Sequence, residues 1–219
     1  MKPVTILLAL ALSIALPLGA FSQVVVYDNT DNDLTLRFNI GTSRVGDEVN
    51  LAGTERELYG FSFEFFYTNS SAAPSSPSFQ VTLYANDGPD FNGDPTPGTV
   101  LWASPTYSGL ITAFTDRSTI NFDTTDFGTG ILLPDTLTWS VQFGSLGLND
   151  QIGLDIYSPP VTGSSYDDYW IETGSGWQLN FSPSYPLNFA ATITAVPEPS
   201  SLALALLGAA GLMALRRRR

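Results

Sequence analysis

The chain has 219 residues, of which 9 are basic and 21 acidic, giving a formal charge of −12; it contains neither cysteine nor histidine. Those absences exclude a disulfide framework, a Ser-His-Asp triad, a Cys-His pair and a His/Cys zinc site. The shortage of cations excludes nucleic acid as a partner, because phosphate binding needs a basic surface.

Met1 and Lys2 open an apolar run from Val4 to Leu18 that only Thr5 and Ser13 interrupt, followed by small residues at Gly19, Ala20 and Ser22. This is the order of a secretory signal peptide. Residues 1–22 are therefore expected to direct the chain to the Sec translocon. Signal peptidase would cut after Ala20 or after Ser22, and we take Gln23 as the mature start. A retained anchor is the alternative, although the run is shorter than the ~20 apolar residues that span a bilayer.

Residues 23–195 form one expected domain, with four arginines (Arg37, Arg44, Arg56 and Arg117) against twenty carboxylates. Period-two alternation recurs along it. Tyr59, Phe61, Phe63, Phe65 and Tyr67 fall on one face, with Gly60, Ser62 and Glu64 on the other. Phe79, Val81 and Leu83 repeat the pattern, as do Leu137, Trp139, Val141 and Phe143, and then Ile152, Leu154 and Ile156. Such alternation marks half-buried strands. Further strands are predicted over 24–28, 34–40, 99–103, 110–114, 118–122, 168–172, 177–181 and 188–194. Turn-rich stretches at 69–78 and 87–98 separate them, and no segment keeps a 3.6-residue period. The fold class read from this is all-β: an antiparallel two-sheet sandwich, jelly-roll-like, flanked by an N-terminal signal helix and a C-terminal hydrophobic helix.

Two acidic loops supply candidate calcium ligands: Asp28, Asp31 and Asp33 in one, Asp87, Asp90 and Asp94 in the other. Closely spaced Asp and Asn beside glycine offer the oxygen-rich cage that calcium takes, in a spacing unlike an EF-hand. The other reading is that these residues favour turns and keep the surface solvated. Glu48, Glu55, Glu57, Glu64 and Glu172 are the glutamates from which a glycoside hydrolase could draw an acid-base pair,. No pair among them has a recognisable motif, so the chain is read as a non-enzyme. Tyr166, Tyr169, Trp170 and Trp177 cluster around Asp167 and Asp168, an aromatic-plus-carboxylate set suited to sugar,. The competing reading places the tryptophans in the core.

The last segment, 196–219, begins Val196-Pro197-Glu198-Pro199, continues through an apolar run from Leu202 to Leu215, and stops on Arg216, Arg217, Arg218 and Arg219. The prolines resist helix, the apolar run can enter a bilayer, and the arginines stay on the cytoplasmic side. This order resembles the PEP-CTERM sorting signal. The resemblance implies recognition, and cleavage near the motif, by an exosortase, a multi-pass membrane cysteine protease of Gram-negative bacteria that make exopolysaccharide. A permanent tail anchor is the alternative. The stretches Leu83 to Gly88 and Pro97 to Trp102, and Tyr166 to Trp170 with Gly176-Trp177, are similar to recurrent elements of exported β-sandwich proteins with such tails. An exported protein of the cell surface or extracellular matrix is the resulting expectation, with a structural role or, alternatively, exopolysaccharide binding.

Overall fold

The computed structural model describes residues 22–69 and 73–197. The expected signal helix and C-terminal hydrophobic helix lie outside the described residues. In chain order the strands are β1 (Val24–Asp28), β2 (Asp33–Asn39), β3 (Arg44–Asn50), β4 (Glu57–Asn69) and β5 (Ser78–Ala85). Next come the short β6 (Asp90–Phe91) and β7 (Asp94–Pro95), then β8 (Val100–Ala103) and β9 (Thr115–Asp123). One helical turn, α1 (Thr124–Phe127), precedes β10 (Thr136–Gly144), β11 (Asp150–Tyr157) and β12 (Ser164–Ser165). The last three are β13 (Asp168–Thr173), β14 (Gly176–Phe181) and β15 (Ala191–Val196).

The long strands form two antiparallel sheets. The first runs β1-β15-β4-β11-β2, with β9 also on β4; the second runs β14-β13-β3-β10-β5-β8, with β12 also on β3. The thirteen-residue β4 thus pairs with β15, β11 and β9. Its alternation holds at Phe61, Phe63, Phe65 and Tyr67, all buried in the core, but not at Tyr59, which is half-buried while Leu58 takes the inward place where the pairing with β15 shifts register. Phe61 and Phe63 meet Trp139 of the opposite sheet at ring-centroid distances of 5.5 and 5.9 Å, and Phe65 meets Phe143 at 6.1 Å. Each such side chain contributes about 1.5–3 kcal/mol through burial, and the stripe is what holds the two layers together.

The fold departs from the sequence expectations in three segments. The predicted strand at 110–114 is irregular: Ile111 alone is buried there, while Leu110 and Phe114 are exposed, so no alternating face exists. Conversely β3 was not anticipated, because Gly46, Asp47 and Glu48 interrupt its apolar pattern. Asp47 nevertheless lies on the inward face between Val45 and Val49 and is fully buried. Its carboxylate accepts from Ser165 Oγ at 2.7 Å and from the Phe189 backbone N–H at 2.8 Å. Burial pushes this carboxyl well above the usual range,. The expected strand over 188–194 begins later, at Ala191, and ends at Val196.

Where β15 begins, the first sheet forks. Glu64 N–H donates to the Ala190 carbonyl and Ala190 N–H donates to the Asp155 carbonyl, so residue 190 wedges between β4 and β11. At the other end of β15, Val24 pairs with Ala195. The start of β1 and the end of β15 therefore share one pole of the sandwich.

Candidate functional site

The second sheet turns an aromatic cluster outward, but the cluster is closed. Trp170 lies opposite Gly46 on β3, where an added Cβ would stand 2.8 Å from Thr138 Cγ2 and 2.9 Å from the Trp139 carbonyl oxygen. Trp170 is fully buried, packs edge-on against Phe91 from the β6-β7 hairpin, and directs its Nε1 to Glu48 at 3.3 Å. Trp177 meets Tyr84 at 5.5 Å. Arg44 completes this face: its guanidinium donates to Thr82, Gln80 and Gln142 and pairs with Glu172 at 3.0 Å. Of the other aromatic candidates, Tyr169 points to the opposite face, against Phe38 and Phe189, and Tyr166 is exposed in the turn before β13. The four aromatic residues therefore divide between two faces and a turn, and Trp170 is covered.

The acidic loops spend their carboxylates on their own backbone. Asp28 accepts from Thr30, and Asp87 accepts from both the N–H and the hydroxyl of Thr99, which hold its carboxyl below the usual range. Asp90 accepts from the Gly93 N–H. Asp33 pairs with Arg117 and Arg37. Asp31 and Asp94 are exposed. Among the described residues no group of three or more carboxylates is arranged to hold a metal ion.

The outer face of the first sheet has a different character. Three rows cross it: Thr192, Ser62 and Asn121; Thr194, Gly60 and Asp123; and then Glu64 beside Thr119. Between β15, β4 and β9 they enclose an open groove of about 250 Å³ lined by Gly60, Ser62, Asn121, Thr192 and Thr194. Gly60 keeps its floor low, since a Cβ there would stand 2.6 Å from Thr194 Oγ1. A larger depression, about 550 Å³, lies at the pole near Arg56 and Asp135, but its polar groups are already paired, Arg56 with Asp135 and Thr136 with Asn50.

Beyond Glu64 the polar face becomes an ion network at the fork. Tyr157 donates to Glu64 Oε2 at 2.7 Å, and the Arg117 guanidinium lies 5.2 Å from the Tyr157 ring centroid and 3.4 Å from Glu64 Oε2. Asp155, 0% exposed, has Arg37 Nε 3.0 Å away; that contact is an ion pair rather than a well-directed hydrogen bond. Burial pushes the Asp155 carboxyl up to about 7, against the pull of Arg37,. Sequence reading had placed Gly60, Ser62 and Glu64 on one polar face. Asn121, Thr192, Thr194 and Asp155 were beyond it, because only pairing between distant strands brings them there.

The tail leaves this same sheet. Ala195 and Val196 are the last rungs of β15, and Pro197 follows directly. Residues 195–219 match the PEP-CTERM protein-sorting motif. The PEP-CTERM motif indicates an exported protein, sorted through exosortase, of a bacterium that has this enzyme. Glu198, Pro199 and Arg216 to Arg219 lie outside the described residues. No helix among the described residues is long and apolar enough to cross a membrane. No curated protein and no solved structure matches the chain.

Proposed function

We propose that the exported sandwich is a non-catalytic, matrix-associated protein that holds exopolysaccharide on the outer face of its first sheet. The observation that carries this reading is the groove over β15, β4 and β9. Ser62, Asn121 and Thr194 place two hydroxyls and an amide around it, and none of the three makes a side-chain hydrogen bond to another described residue. Sugar hydroxyls both donate and accept, so unengaged Ser, Thr and Asn side chains suit them, and Glu64 and Arg117 extend the row with charge-assisted partners. The buried Trp170 has no part in it.

The non-catalytic part of the reading is supported by the fork. Glu64 and Asp155 are neighbouring carboxylates, but Asp155 is sealed beneath Arg37 and Arg117, where a glycosidic oxygen would not reach it,. A glycan array with the purified protein tests the proposal. Binding should fall at least tenfold in Asn121→Ala and in Ser62→Trp, which fills the groove, and should survive Trp177→Ala. Array-wide silence, or loss only in Trp177→Ala, would replace this reading with an inert acidic coat or with a site on the second sheet.

A further inference from the structure

The strands at the margins of the two sheets are guarded against further pairing, with one exception. β1 is bulged between Val25 and Tyr27, and its outer side is occupied: the Val26 carbonyl accepts from the Ala52 N–H, and Asp28 bridges to Thr162. β2 carries Asp33 and Arg37, and Thr35 breaks its line at a φ of 57°. β9 carries Asp116, Arg117 and Asp123 and shifts its register on β4. β8 and β12 have only four and two residues. Charge, bulges, brevity and cover are the means by which an edge is kept from pairing with a second chain.

β14 has none of them. It ends the second sheet, and among the described residues no strand lies on its outer side. Its sequence, Gly176-Trp177-Gln178-Leu179-Asn180-Phe181, holds neither charge nor proline, and it follows β13 without a register shift from Asp168↔Phe181 to Thr173↔Gly176. Residues 23–195 carry twenty carboxylates against four arginines, yet no Asp, Glu, Lys or Arg occurs from 173 to 196. Residues opposite each other on paired strands share a face, so Trp177, Leu179 and Phe181 stand on the side that bears Trp170, the register partner of Leu179,. Phe181 is 76% exposed there.

Two features argue for a second copy of this chain as the occupant. Two bodies of such negative charge repel along most approaches, and least along an edge that is itself uncharged. The strand is also complementary to itself. Antiparallel pairing about Leu179 sets Trp177 of each copy opposite Phe181 of the other, so one two-fold axis gives both exposed rings an aromatic partner. We propose that β14 pairs with β14 of a second copy in a two-fold antiparallel dimer, which runs the second sheet continuously through both molecules. The contact uses no residue of the first sheet, so the groove over β15, β4 and β9 stays free in both copies, and dimerisation does not depend on what that groove holds.

The test begins with the full chain expressed in an exosortase-bearing host; the protein recovered from the cell surface is weighed by sedimentation equilibrium. Across about 1 to 500 μM, where a small interface assembles, its average mass should approach twice that of one copy, and added salt should raise the dimer fraction. Phe181→Glu, which puts a charge on the bare edge, should weaken the association at least tenfold, whereas Val100→Glu on β8, at the far margin of the same sheet, should not. Leu179→Cys, in a chain with no other cysteine, meets its own copy at the axis and should oxidise to a covalent dimer, unlike Val100→Cys. A single-copy mass throughout, a dimer that Phe181→Glu leaves intact or that salt dissociates, or a Leu179→Cys protein that crosslinks no faster than Val100→Cys would each overturn the proposal. If a variant proves unfolded by its melting curve, the wild-type mass and its salt dependence decide.

Discussion

At Asp47 a carboxylate replaces what the alternation of β3 would make an apolar side chain, and two donors explain its place there. Removing it in Asp47→Ala leaves the Phe189 N–H and Ser165 Oγ facing a void, which costs roughly 1–3 kcal/mol for the unsatisfied donor and more for the cavity,. Asn keeps one acceptor for Phe189 and offers a donor to Ser165, so Asp47→Asn should lose less; urea unfolding of the pair measures the difference. Asp155 makes the opposite kind of prediction. Its carboxyl titrates at about 7 in the fold and near the ordinary aspartate value when unfolded,. Its contribution is therefore fully present below about pH 3.8 and is lost as pH rises through 7,. Asp155→Asn, which stays neutral, should gain on the wild type between pH 4 and 8 in paired urea melts, and a constant difference would contradict the assignment. Asp150 behaves in the reverse sense. Burial pushes its carboxyl up, but donors from Ser75, Asn69, Gly147 and Tyr67 outweigh that and hold it below the usual range, so it stabilises above the ordinary carboxylate pKa and loses that contribution in acid,.

Among the elements, the β6-β7 hairpin works as a cover. Asp87 ties the loop's start to Thr99 at its end, and Phe91 is laid over Trp170. Phe91→Ala should cost about 1–2 kcal/mol, short of full burial because Phe91 is only half-buried,. It should also shift tryptophan emission to the red and raise acrylamide quenching as Trp170 meets water. Unchanged emission would mean the hairpin does not seal the ring. Glycine sets a second constraint: at Gly153 a side chain would overlap the Phe38 carbonyl oxygen, so β2 can pair with β11 only because no Cβ stands there. The strands legible in the sequence were those whose inward residues are all apolar, as in β4, β10 and β11. β3 was illegible because its inward face carries Asp47 and its outward face needs Gly46, where a side chain would meet Thr138 and the Trp139 carbonyl of β10, both local breaks that tertiary partners make good. The 110–114 segment failed for the converse reason, apolar residues without a partner sheet. The candidate groove was half legible: one strand's polar face can be read from alternation, whereas the register that sets Asn121 and Thr192 on either side of Ser62 cannot,.

For the whole molecule, charge and export belong together. All four arginines between residues 23 and 195 are engaged in ion pairs, with Asp33, Asp155, Glu172, Asp135 and Glu64, so the remaining described carboxylates, of which Asp47 and Glu57 are buried, have no arginine partner. Repulsion among them is screened by salt over about 10 Å at 0.1 M. The melting temperature should accordingly rise by several degrees between 10 and 200 mM sodium chloride, in contrast to a fold whose ion pairs dominate. Among the described residues no basic patch is free, so the proposed polysaccharide contact would rest on the hydroxyl and amide groups of the groove rather than on charge. The most direct measurement is co-sedimentation of the purified protein with exopolysaccharide from exosortase-bearing cells. The wild type should pellet with the polymer at 200 mM salt. Ser62→Trp and Asn121→Ala, verified as folded by their melting curves, should stay in the supernatant. Equal pelleting of all three, or none by the wild type, would contradict the assignment of the first sheet's outer face.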